Sequence, residues 1–167
     1  MDANPQLVCE HCALRPGRPF CDMPEEALRD FEAIRTRTNF AKGEVLFAEG
    51  RPAKGIYILC EGRARLSICS ESGKRLMLRI AGPGEVLGAG AALSGGPCEV
   101  TAEMLDNAQV AVVRRKDLLR FLRDHRDVCL VMVSMLSQDL HAAYERVRSL
   151  GITKTRRPRS SNGRDDG

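Results

Sequence analysis

Three cysteines stand close together near the start of the chain. In CEHCALRPGRPFC they are Cys9, Cys12 and Cys21, a C-x2-C-x8-C pattern. Thiolates are soft ligands, and two sulfurs at C-x2-C spacing can reach one metal ion or two irons of one cluster. Zinc takes the same donors, and the thiols can also act as a redox pair or hold no metal at all. The first residues, MDANPQLVCEHC, have neither the basic start nor the apolar run of an export signal. The seven cysteines of the chain are therefore expected to be buried thiols, metal ligands or redox groups, not a disulfide framework.

A second stretch has the composition of a ligand cradle. Residues 84–102, GEVLGAGAALSGGPCEVTA, are rich in glycine and alanine, which let a backbone approach an anion such as a phosphate closely. A phosphate also needs a positive partner, and this stretch contains no Lys or Arg. Its candidate pocket residues are Gly84, Glu85, Gly88, Ala89, Gly90, Cys98, Glu99, Val100 and Thr101.

These residues must be held by elements that the chain's patterning predicts. The 167 residues are 43% apolar with no Trp, enough for one mainly aliphatic core. Residues 1–22 are Cys- and Pro-rich and read as irregular. PEEALRDFEAIR, residues 24–35, reads as a helix: Pro24 and two acids open it, and Leu28, Phe31 and Ile34 share a face. From Phe40 to about Val113 short apolar runs alternate with turns at Gly43, Gly50, Gly62, Gly73 and Gly82. That spacing predicts an all-β sandwich or barrel, with ESGK as a hairpin turn. KDLLRFLR, residues 116–123, reads as a short helix that closes this 23–123 domain.

A long helix is predicted over 124–150. Cys129, Val133, Leu136, Leu140, Ala143, Val147 and Leu150 recur in steps of four and three, an a/d seam of about three heptads. A second stripe, Val128, Val131, Met132 and Met135, covers another face of its first half. One stripe is expected to pack on the chain's own core and the seam on a partner helix. Gly151 is a stop signal, and TKTRRPRSSNGRDDG reads as a disordered basic tail that holds a net +3 of the chain's +4. The body is nearly neutral, so a large basic nucleic-acid surface is not expected. No run of 18 apolar residues exists, so no membrane span is expected either.

A β-roll preceded by a helix and followed by a short helix and a long heptad helix resembles the cyclic-nucleotide-binding domain of the Crp/Fnr transcription regulators. The resemblance is carried by FAKGEVLFAEGRPAKGIYILCEGRARL: Gly43–Glu44, Val45–Phe47, Glu49–Gly50, Ile56–Leu59 and Gly62. It implies a double-stranded β-helix, or jelly roll, with a dimerisation helix, in a bacterial cytoplasmic homodimer that reads DNA through a C-terminal helix-turn-helix. The match runs over about residues 24–150.

The sequence departs from that pattern in three places. Aligned on Gly84, Glu85 and Gly88, the acid that holds the ribose in the family falls on Ala89. The arginine that pairs with the cyclic phosphate falls on Cys98, and a shift of the loop brings Glu99 or Val100 there instead. A charged hydrogen bond of this kind contributes about 1.5–3 kcal/mol, so a cyclic nucleotide is not the expected ligand. The N-terminal cysteines resemble the cluster-binding segment of the Fnr branch, which implies a 4Fe–4S cluster at Cys9, Cys12 and Cys21. That branch takes its fourth ligand from the strand QVAVV, where this chain has Ala111. Cys98 is the favoured substitute over His11, Cys60 and Cys69, because Cys60 and Cys69 alternate with apolar residues and read as core thiols. Lastly, the helix-turn-helix expected after the long helix is absent from the sequence.

The expected function is the sensory and dimerisation module of a Crp/Fnr-type regulator that responds to redox or a gas through its cysteines. Two alternatives remain at this point: a stand-alone module that forms mixed dimers with full-length regulators, and a domain for a non-standard small effector. An enzyme is not expected. His11, His125 and His141 all lie outside the predicted strands, where they cannot build the metal site of a jelly-roll enzyme.

Overall fold

The computed structural model describes Cys12, Arg18 and residues 20–151. Cys9, His11 and the basic tail from 152 onward lie outside the described residues. Two compact units divide between Val133 and Ser134.

The first unit opens with α1 (Glu25–Ile34), which starts after Pro24 and carries Glu25 and Glu26 in its first turn. Eight strands follow: β1 (Arg35–Phe40), β2 (Val45–Phe47), β3 (Gly55–Glu61), β4 (Ala64–Cys69), β5 (Arg75–Ala81), β6 (Val86–Leu87), β7 (Thr101–Met104) and β8 (Ala108–Arg114). They form two four-stranded antiparallel sheets, ordered β1-β8-β3-β6 and β2-β7-β4-β5. This is the expected double-stranded β-roll. α2 (Ala89–Ser94) interrupts it, and α3 (Arg115–Asp124) and α4 (Arg126–Gly151) close the described chain.

The main core lies between the sheets and includes Leu46, Tyr57, Leu59, Leu66, Met104 and Val110. A second core forms under the helices, where Phe31 meets Phe20 at 5.5 Å and Phe121 at 5.6 Å between ring centroids. β3 contributes to both. Tyr57 and Leu59 face the inter-sheet core, while alternation turns Ile56 and Ile58, both buried, to the other side.

Two elements differ from the sequence expectation. β1, RTRTNF, begins directly after α1 and pairs along its whole length with β8. It has one apolar residue, so no hydrophobic period announces it; its place is fixed by pairing. AGAALS within the glycine-rich stretch is a helix, α2, bounded by Gly88 at φ +78° and Gly95 at φ +75°. Alanine favours helix strongly, and the two glycines supply left-handed turns at its ends. The hairpin turn after β4 forms as expected, with the Ser70 amide donating to Lys74 O at 2.8 Å and Gly73 at φ +81°.

α4 buries Val128 and Met132, members of its second stripe, against the first unit. Replacing Phe31 with alanine removes the ring that joins Phe20 to Phe121. Phe31→Ala is expected to lower unfolding stability by about 3–5 kcal/mol, read as a fall in the urea midpoint with little change in slope. A shift below about 1 kcal/mol would mean that the second core carries little of the fold.

Candidate functional site: a cysteine-lined cavity on the outer face of the β-roll

Cys12, Cys21 and Cys60 line one cavity of about 30 Å³, walled by Phe20, Leu59 and Ala111 among others. Cys60 reaches it from the outer face of β3, the face of Ile56 and Ile58, at a point where the pairing with β8 shifts. Leu59 pairs with Val110 and Glu61 with Gln109, so Cys60 is an extra residue, a β-bulge. Ala111 pairs with Ile58 on the neighbouring strand β8 and lines the same cavity.

The electrostatics of the three thiols are linked. The Cys21 thiol is pushed up to about 11, first by burial, then by Cys12 and Cys60, with Arg18 pulling the other way. Burial also raises Cys60, opposed by a hydrogen bond with the Ala111 backbone and by the Arg37 and Arg35 charges. Arg18 lies across Gly84, its Cδ 2.6 Å from where a Cβ would stand, and Gly84 has φ +87°. Only glycine satisfies both the backbone angle and that close approach. Among the described residues no group of three His, Cys, Asp or Glu side chains is arranged to hold a single metal ion.

Cys98 does not line this cavity. It is 4% exposed, and its backbone is tied to the turn after β2: the Cys98 amide donates to Arg51 O and the Gly50 amide to Cys98 O, both at 2.8 Å. Its thiol is raised by burial and then by Glu99, and it acts in turn on the hydroxyl of Tyr57, which burial also raises. The sequence reading favours Cys98 over Cys60 as the partner of the N-terminal thiols; the structure brings Cys60, not Cys98, to Cys12 and Cys21. Alternation puts Cys60 on the outer face of β3 with Ile56 and Ile58, and the cover of that face by Cys12, Phe20 and Cys21 makes them neighbours.

The remaining candidate pocket residues have local partners. Glu85 accepts from the Gly82 amide and from Arg79 Nη1 at 2.7 Å, so it closes a turn. The Gly84 amide donates to Leu59 O at 2.6 Å. Gly88 and Ala89 start α2. The Glu99 carboxylate lies over Gly90, 2.9 Å from the position a Cβ would take. Val100 packs on the inter-sheet core, and Thr101 Oγ1 accepts from the Glu49 amide at 3.0 Å. Arg115, which reaches this segment from α3, donates to Ala92 O at 2.7 Å.

On α4 the seam lies open. Val133 and Leu140 are each 54% exposed, Val147 67% and Leu150 66%; Ala143 is exposed, and Cys129 and Leu136 are partly covered. Among the described residues no helix is long and apolar enough to cross a membrane.

Comparison with known proteins fits this geometry. The family described as cyclic nucleotide-binding domain matches residues 37–125, more than half of the chain. The chain belongs to this family. Its relatives are of Crp/Fnr type. The domain is 28% identical over 156 residues to the transcriptional activatory protein AadR of Rhodopseudomonas palustris, covering 89% of this chain and 64% of AadR. It is 32% identical over 80 residues to the nitrogen fixation regulation protein FixK of Bradyrhizobium diazoefficiens, covering 48% of this chain and 34% of FixK. The chain thus spans less than two thirds of these relatives' length. In fold it is similar to the catabolite activator protein of Thermus thermophilus, with TM-score 0.72 at 22% identity over 80% of this chain and 63% of that one. It is also similar to the sensor domain of the regulator DNR from Pseudomonas aeruginosa, with TM-score 0.68 at 21% identity over 84% and 95%. The domain is a cyclic nucleotide-binding domain of Crp/Fnr type, and its relatives are regulators.

A thiol reacts as its thiolate. With Cys21 at about 11 instead of its ordinary 9.0, its thiolate at pH 8 falls about 100-fold. In the fully reduced, metal-free protein, iodoacetamide is expected to label exposed Cys69 early and Cys21 much later, with Cys21 labelling climbing steadily up to about pH 11. Mass spectrometry of peptides reads this. Equal rates for Cys21 and Cys69 at pH 8 would contradict the buried, mutually repelling thiols described above.

Proposed function

We propose that this domain is the sensory and dimerisation module of a transcription regulator, that it responds to redox or a gas through its N-terminal cysteines, and that it does not respond to a cyclic nucleotide. One observation carries the proposal: cysteines distant in sequence converge on an apolar cavity beside the aromatic cluster that leads to the long helix. The donor set fits an iron–sulfur cluster. Thiolates are its ordinary ligands, and a cluster of several irons accepts thiols spread more widely than a single ion does. Bound there, the cluster supplies an oxygen-labile redox centre. The chain's part is to offer Cys12 and Cys21, with Cys9 from outside the described residues, and to keep water out with Phe20, Leu28 and Phe31.

From the cavity the route to the seam is short. Phe31 touches Phe121 of α3, and the Phe121 ring lies 4.8 Å from that of His125, at the α3–α4 junction. His125 also holds Asp30 of α1 at 2.7 Å, and its carbonyl accepts from the Cys129 amide at 3.1 Å, in the first turn of α4. A change in the packing around Cys21 thus reaches the first seam residue through touching rings. The exposed seam, Val133 to Leu150, supports a homodimer in which two copies pair along α4. Loss of a nucleotide ligand is supported by residues 84–102. They offer no cation, Arg79 and Arg115 are engaged nearby, and Glu99 places a carboxylate over Gly90.

Purification without oxygen tests the proposal. The expected product is brown, with iron and acid-labile sulfide bound to the chain, and it bleaches in air. A colourless chain that takes up no iron or sulfide, even after anaerobic reconstitution, removes the cluster and leaves the cavity as plain core.

A further inference from the structure

We infer that Cys60 is the β-roll ligand of the iron site, completing a set with Cys12 and Cys21 that the segment after α2 does not join. This rests on the iron–sulfur reading of the same cavity and names the residue within it. Cys60 lies far from the other two in sequence, on β3, yet it lines their cavity. It shares the outer face of β3 with Ile58, two residues before it, and Ile58 lines the same cavity; the register shift against β8 falls at Cys60 itself. It also interacts electrostatically with both Cys12 and Cys21. Ala111, across the β3–β8 ladder, lines the same cavity with a methyl group. A donor absent from β8 is therefore present on the adjacent strand, on the same face.

On ligation the Cys60 thiol gives its proton to solvent as the sulfur–iron bond forms, with no change in oxidation state. Cys98 has no comparable standing. It is buried next to Glu99 and Tyr57, its backbone is locked to Gly50 and Arg51, and it does not line the cavity.

The test uses the full chain reconstituted anaerobically with ferrous iron and sulfide, comparing wild type with Cys60→Ser and Cys98→Ser. Bound iron, labile sulfide and the visible absorbance are the readouts, and circular dichroism reports the fold. Cys60→Ser is expected to lose iron, sulfide and absorbance, while Cys98→Ser keeps all three. Adding Ala111→Cys to Cys60→Ser returns a thiol to the cavity from the next strand and is expected to restore loading. That rescue separates a lost ligand from a damaged fold. Full loading of Cys60→Ser, loss of loading in Cys98→Ser, or no rescue by Ala111→Cys in a folded double variant each overturns the assignment of Cys60. Failure of the wild type to load under the same conditions overturns the cluster reading itself and the assignment with it.

Discussion

The structure depends on a strand that is buried on both faces. β3 turns Tyr57 and Leu59 into the space between the sheets and Ile56 and Ile58 toward the helices, and all four are buried. A strand covered on two sides has no solvent face on which to absorb change, so its neighbours are fixed by what it presents. Its inner face sets the β-roll. Its outer face receives Phe20, Leu28 and Phe31, and with them the cysteines that line the adjoining cavity. The bulge at Cys60 is the one place along β3 where pairing is interrupted, and it adjoins that cavity.

The glycine- and alanine-rich segment around α2 has a different chemical character from that cavity. Glycine and alanine are retained where α2 begins, so the backbone approach is preserved. The charge is not. Glu85 and Glu99 bring carboxylates to the segment, and of the arginines that approach it Arg79 is tied to Glu85 and Arg115 to the Ala92 carbonyl, while Arg18 lies across Gly84.

Much of this was legible in the sequence, for identifiable reasons. The glycine-punctuated strands of the β-roll follow from alternation and turn chemistry. The two stripes of α4 follow from helical spacing, and the structure buries Val128 and Met132 of one while leaving Val133, Leu140, Val147 and Leu150 of the other open. β1 was not legible, because RTRTNF has no apolar period and is placed by its ladder with β8. α2 was obscured by its glycines, which mark the ends of a helix here and not a loop. Cys60 was the consequential miss: alternation puts it among the apolar residues of one face of β3, and only the cover of that face by Cys12, Phe20 and Cys21 makes it their neighbour. Such placement is a property of tertiary contact, and one strand read alone does not contain it.

The central claim is that the state of the cysteine cavity is felt at the helix seam through Phe31, Phe121 and His125. Sedimentation equilibrium of the iron-loaded chain, before and after exposure to air, measures it directly. The dimer dissociation constant is predicted to change by at least about fivefold in the wild type, and by much less in Phe121→Leu, which keeps the cysteines and the seam but alters the ring contact between them. An unchanged dissociation constant in the wild type, with loss of iron verified in the same sample, would contradict the account.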